Sequence, residues 1–200
     1  MFEIELKAHI YDRNALVQKI KAFATHSQTV LRNDMYYHVP MAKKTGDGIL
    51  SVRLRKEVAI SNEKTNQKNI LTYKRKEKKV SGNGLETELN DEKECEVSSF
   101  NALESLFQDA GFAPYLTKQK SVEDYIASTP YGNATLELCE VSKLGDFLEI
   151  EILSEKNDEK TVSQIQMELR NLLAKCEIPE TDIESRYYSE LLSEIENKNH

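Results

Sequence analysis

Long apolar runs are missing from this chain. Across its 200 residues no stretch approaches the roughly 20 apolar residues that cross a bilayer as a helix. Glu3, Glu5 and Lys7 stand where a secretory signal needs an apolar core, so a cytoplasmic protein is expected. Cysteine is scarce as well. Cys95, Cys139 and Cys176 are odd in number and far apart, which fits neither a disulfide framework nor zinc-ligand spacing. Positive charge is in deficit, with 27 Lys and Arg against 34 Asp and Glu and a net charge of −7. That argues against a generic nucleic-acid or anionic-membrane binder. The Gly-x-x-x-x-Gly-Lys-Ser/Thr loop is absent, which excludes P-loop phosphate binding. Without repeats, heptads or low-complexity tracts, the length suits one domain over residues 1–200 with a sizeable core.

What is present is a pattern of charge on strands. At the start, Phe2, Ile4 and Leu6 alternate with Glu3, Glu5 and Lys7, the period of a β-strand whose two faces meet different surroundings. Carboxylates two residues apart on a strand lie roughly 7 Å from each other. Their repulsion is about 0.6 kcal/mol in water and about 2.4 kcal/mol at an effective dielectric near 20. On an open surface the pair is harmless, whereas in an enclosed site it calls for a cation. The pattern recurs in Arg53 and Arg55, Thr72, Lys74 and Lys76, Glu86 and Glu88, Lys118 and Lys120, and Glu149 and Glu151. A sheet with one wet face is the plain reading. Whole strands of paired acids or paired bases also suit an enclosed site, where carboxylates hold Mg²⁺ or Mn²⁺ and Arg and Lys grip phosphate oxygens.

The alternation predicts eight strands, near 2–9, 34–39, 48–56, 69–76, 85–90, 121–127, 134–141 and 146–153, several preceded by glycine turns. Helices are expected after Asp12, after Ser98 or Ser99 up to Gly111 and Pro114, near 159–175, and from Asp182 through Tyr188 and Leu192. The polar segment 57–68 reads as a hairpin loop. The predicted class is α+β, a closed eight-stranded antiparallel β-barrel with helices packed outside.

In order along the chain, Glu3-x-Glu5-x-Lys7, Asp34-x-Tyr36-Tyr37, Arg53-x-Arg55, Leu71-Thr72-Tyr73-Lys74, Glu86-x-Glu88 and Leu144-Gly145-x-Phe147-x-Glu149-Ile150-Glu151 resemble the motifs of the CYTH superfamily. These are the triphosphate tunnel metalloenzymes; the class IV adenylyl cyclase branch looks nearest, with thiamine triphosphatases as relatives. The resemblance implies an antiparallel tunnel open at both ends, a nucleotide or other triphosphate as substrate, Mg²⁺ or Mn²⁺ as cofactor, and a homodimer. Carried over by position, Glu3, Glu5, Glu149, Glu151 and Glu88 would bind metal. Lys7, Arg53, Arg55, Lys74, Lys118 and Lys120 would grip the triphosphate. Three positions depart from the pattern: Cys139 stands where the family carries Asp, Lys118-x-Lys120 replaces Lys-x-Arg, and Gly84 replaces an Arg. A thiol is a poor exchange for a carboxylate toward Mg²⁺, and Glu137, on the same strand face as Cys139, is the candidate substitute. The implied activity is cyclisation of ATP to cyclic AMP and pyrophosphate. The alternatives are hydrolysis of thiamine triphosphate or tripolyphosphate, and binding of a nucleotide or polyphosphate without turnover.

Overall fold

A computed structural model describes residues 2–39, 49–60, 66–80 and 86–198. Among these residues eight strands carry the fold: β1 (Phe2–His9), β2 (Thr25–His38), β3 (Ile49–Ala59), β4 (Asn66–Val80), β5 (Glu86–Glu96), β6 (Ala113–Thr129), β7 (Gly132–Val141) and β8 (Gly145–Ser154). Four α-helices join them: α1 (Arg13–Lys21), α2 (Asn101–Asp109), α3 (Glu159–Lys175) and α4 (Tyr188–Lys198). The strands hydrogen-bond in the order β1-β5-β4-β3-β2-β6-β7-β8, and β8 pairs back onto β1. The antiparallel sheet is therefore curled on itself. Its two seams beside β1 differ: β8 runs in register with β1 from Phe2 to His9, while β5 meets it only from Phe2 to Glu5.

Alternation sorts the side chains. Ile4 and Ala8 of β1, Leu136 and Leu138 of β7, and Leu148, Ile150 and Ile152 of β8 form one core with Leu16 and Ile20 of α1 and Val162, Ile165, Leu169 and Leu172 of α3. Asp12 and Asp158 start those two helices by accepting the N–H groups of Ala15 and Thr161, each at 3.0 Å. On the opposite side Phe107 of α2 packs on Tyr37, Val52 and Leu54. Gly132 and Gly145 take φ of +110° and +93° in the β6–β7 and β7–β8 turns, a backbone region that glycine enters without strain.

Several elements run longer than the sequence predicts. β2 begins at Thr25 rather than 34, β6 at Ala113 rather than 121, and β5 continues to Glu96. In these extensions charged or polar residues occupy both faces, as with Glu92, Lys93 and Glu94, so no apolar–polar alternation marks them. The predicted 57–68 loop shrinks for the same reason: β3 continues to Ala59 and β4 starts at Asn66, and 61–65 lie outside the described residues. The fourth helix also departs from expectation. Its first residue, Tyr188, joins Leu191 in a buried cluster with Val30, Val122, Cys139 and Phe147, and it lines the cavity enclosed by the sheet. The start of this helix thus reaches the cavity. Among the described residues no helix is long and apolar enough to cross a membrane.

Candidate functional site

The curled sheet encloses a cavity of about 380 Å³. Its wall is charged because every second residue of several strands points inward. Register fixes who meets whom: Glu5 of β1 lies across from Glu151 of β8, and Lys7 from Glu149.

On the β1–β8 side, Glu3, Glu5 and Glu151 bring carboxylate oxygens within 4.8 Å of one another. Burial, together with the charges of Glu3 and Glu5, pushes the Glu151 carboxyl up to about 10. Crowding of carboxylates favours the protonated form of one of them, and a hard divalent cation at this point would favour the ionised form instead. The donor set fits Mg²⁺ or Mn²⁺. Glu149, expected in the same group, sits with Glu137 and Cys139 instead. Lys120 Nζ donates to its two oxygens at 3.0 and 2.9 Å. Lys120 and Arg32 both donate to Glu137, and despite burial these cations hold its carboxyl well below the usual range. Burial pushes the Cys139 thiol up to about 12, so at neutral pH it is a neutral thiol.

Across the cavity the wall is basic. Asp34 of β2, only 3% exposed, accepts from Arg55 Nε at 2.8 Å and Nη2 at 3.1 Å. Lys118 Nζ is 3.4 Å away and Arg53 Nη1 3.9 Å. Burial opposes its charge, but Arg55, Lys118 and Arg53 outweigh burial and hold the carboxyl well below its ordinary value. Arg53 Nη2 donates to Thr72 Oγ1, Glu92 and Glu94 at 2.9–3.1 Å. Its Nε is buried without a hydrogen-bond partner, a state that usually signals a missing acceptor.

Between the walls stands the Tyr188 ring. The ammonium groups of Lys7, Lys118 and Lys120 lie 4.5, 4.9 and 5.1 Å from its centroid, within cation–π range, and its hydroxyl is 3.7 Å from Cys139 Sγ. The segment before α4 is tied to β1. Ala8 bridges Ile183, the Glu184 N–H donates to the Lys7 carbonyl at 2.8 Å, and Lys7 Nζ donates to the Arg186 carbonyl at 2.6 Å. Bonds from Arg186 pull Glu184 down to about 2, and His9 Nε2 lies 3.1 Å from the same carboxylate. Lys7 and His9 are thus held by the C-terminal segment.

Of the expected residues, the cavity wall gathers Glu3, Glu5, Arg53, Arg55, Lys118, Lys120, Glu137, Glu149 and Glu151. Lys74 and Glu88 lie in β4 and β5, but their side chains are outside the described ones. Sequence reasoning assigned no role to Arg32, Asp34, Thr72, Glu92 or Tyr188. For Arg32 and Asp34 a signal existed, since they precede Tyr36 at two-residue steps on one strand face.

The family model of the CYTH domain matches residues 1–188. The chain belongs to the CYTH family. CYTH proteins are adenylyl cyclase-like or triphosphatase enzymes that bind triphosphates and use divalent metal ions. Among solved structures, the chain is similar to the PH1819 protein of Pyrococcus horikoshii, with 26% identity, a TM-score of 0.71, and coverage of 96% of this chain and 98% of that one. It resembles the fold of a candidate adenylate cyclase from Vibrio parahaemolyticus at 19% identity, TM-score 0.72, covering 96% and 98%. It also resembles that of HpAC1 from Hippeastrum, a candidate adenylyl cyclase described as having a dominant triphosphatase activity, at 17% identity, TM-score 0.60, covering 96% and 95%. No curated protein matches the sequence.

Proposed function

We propose that this CYTH protein is a metal-dependent adenylyl cyclase that binds ATP by its triphosphate inside the curled sheet, which serves as a tunnel. The observation that supports it best is the pairing, in one cavity, of the Glu3–Glu5–Glu151 carboxylates with the Arg53–Arg55–Lys118 cations gathered round Asp34. Carboxylates alone would suit many cations, and cations alone many anions. The two together suit a metal–polyphosphate.

Glu3, Glu5 and Glu151 would hold Mg²⁺ or Mn²⁺. The bound ion supplies Lewis acidity toward phosphate oxygens. Arg53, Arg55 and Lys118 orient the triphosphate and stabilise the charge that develops on departing pyrophosphate. In the cyclase reaction the ribose 3′-hydroxyl attacks the α-phosphate, forming the O3′–P bond and breaking the bond to the bridging oxygen of pyrophosphate, while the hydroxyl proton passes to water. Neither Cys139, a neutral thiol, nor Glu137, bound by Lys120 and Arg32, is free to take the hydroxyl proton.

A second reading, hydrolysis of a triphosphate by water, is favoured by one feature. Cys139 stands beside Glu149 where the family motif carries Asp, which removes a carboxylate from the reacting region. Incubation of the native protein with ATP or tripolyphosphate, with Mg²⁺ or Mn²⁺, separates the readings. Cyclic AMP and pyrophosphate in equal amounts, lost in Glu5→Gln, is the expected result. Phosphate without cyclic AMP selects hydrolysis. If neither product forms, the catalytic proposal falls.

A further inference from the structure

The inward face of β2 does not stop at the cations. Arg32, Asp34, Tyr36 and His38 follow one another at two-residue steps, and Tyr36 lines the cavity, with Lys118 Nζ 5.4 Å from its ring centre. The neighbouring strand β6 points Lys120 and Lys118 inward, so unbroken alternation would send Tyr115 outward with Thr117 and Gln119. The register shows a break. Tyr36 pairs with Leu116 while Tyr37 pairs with Pro114, leaving Tyr115 as the extra residue of a bulge. Bulges re-aim side chains, often beside functional sites. Here the Tyr115 ring stacks on His38, with centroids 4.2 Å apart and planes 25° apart, and lies 6.3 Å from Tyr36.

A line of rings therefore runs from the basic wall to the rim of the sheet. At its outer end His38 is exposed and Tyr115 is 42% exposed. An aromatic cluster built for packing buries its faces, as Tyr37 and Phe107 do on the opposite side of β2. Solvent-exposed rings next to a phosphate-binding cavity suit a flat heteroaromatic group carried on a phosphate chain.

We propose that Tyr115 and His38 form a stacking platform for the base of a nucleoside triphosphate whose phosphates lie in the cavity. The proposal rests on the reading of that cavity as a triphosphate site. Phosphate contacts then hold the ligand, and the platform separates nucleotides from tripolyphosphate, which has no ring.

The test uses the full chain with Mg²⁺ and two ligands, 2-aminopurine riboside triphosphate and inorganic tripolyphosphate. The protein has no tryptophan, so the base emission is read against tyrosine alone. Binding to the native protein should quench that emission. Tyr115→Ala should abolish the quench and weaken the nucleotide by about 10-fold, at the low end of what a stacked base contributes. Tripolyphosphate affinity should stay within about twofold, and Tyr115→Phe should restore both nucleotide readouts. If Tyr115→Ala leaves nucleotide binding and quenching unchanged while tripolyphosphate binds normally, the platform is overturned and the cavity reading stands. Equal weakening of both ligands also overturns it, since Tyr115 would then shape the phosphate site. If the native protein binds neither ligand, the cavity reading fails and the platform with it.

Discussion

Asp34→Asn tests the basic wall directly. The carboxylate lies 2.8 Å from Arg55, 3.4 Å from Lys118 and 3.9 Å from Arg53. At an effective dielectric near 20 these distances correspond to gross attractions of about 6, 5 and 4 kcal/mol. Desolvation of four charged groups and repulsion among three cations offset most of that sum. The substitution removes the attraction and leaves the repulsion and desolvation, so the net loss belongs with broken buried pairs, about 3–5 kcal/mol. For a chain of this size that is a fall in Tm of about 6–20 °C, read by calorimetry or by urea denaturation. The pH dependence follows from the direction of the shift. Because the folded carboxyl titrates below its unfolded value, its contribution is complete above the unfolded pKa and is lost as pH falls toward the folded one. The native protein should therefore lose stability in that acid window more steeply than the variant. Tripolyphosphate, which supplies the missing negative charge, should raise the variant's Tm more than the native Tm. A Tm within about 2 °C of native, with the same acid slope, would refute the claim that Asp34 holds the three cations together.

Two further outcomes are expected. The Glu151 carboxyl titrates near 10 when folded and near 4.3 when unfolded, so the folded state binds the extra proton and stability must fall as pH rises between the two values. Thermal melts in chelator across that range should show the fall, and Glu151→Gln should flatten it. For thiols, Cys95 is exposed while Cys139 and Cys176 are buried and titrate near 12. An Ellman titration of the native protein should find one fast thiol, with the other two reacting only after denaturation. Three fast thiols would contradict the packing described here.

Much of the fold was legible because β1, β7 and β8 have one face in an apolar core: Ile4, Leu136 and Ile150 are fully buried there and alternate with inward charges. The strand extensions that escaped have no such contrast. Arg32 and Gln28 of β2 face a charged interior, while their neighbours Leu31 and Thr29 are exposed or half-buried, so neither a period-two pattern nor a loop composition stands out. The site was legible as residue types on strand faces. Its partners were not, because they depend on register. A shift of two residues between β1 and β8 would put Glu149 opposite Glu5 and move Glu151 opposite Glu3. For Asp34 the strand face was legible but the partners were not, since a lone acid two residues before Tyr36 gives no sign that three cations from β3 and β6 converge on it. Tyr115 was out of reach of any alternation rule because it is the residue that breaks the alternation.

The two walls also make an opposing pair of demands on the ligand. Glu3, Glu5 and Glu151 lie on β1 and β8, while Arg53, Arg55 and Lys118 lie on β3 and β6, flanking β2 across the cavity. A polyphosphate drawn to the basic wall faces the acidic one, and only a cation between them turns that repulsion into attraction. Glu5→Gln should therefore change sign with metal. In chelator, losing one carboxylate relieves a repulsion of about 1.7 kcal/mol for unit charges about 10 Å apart at a dielectric near 20, and tripolyphosphate should bind roughly 15- to 20-fold tighter than to the native protein. In Mg²⁺ the same change should remove one of the proposed metal ligands, and tripolyphosphate should bind more weakly than to the native protein. Calorimetric titration of both proteins under both conditions gives the four affinities. A Glu5→Gln effect of the same sign with and without Mg²⁺ would mean that Glu5 acts on the phosphates by charge or by shape alone, and the carboxylates of β1 and β8 would lose their assignment as the metal's ligands.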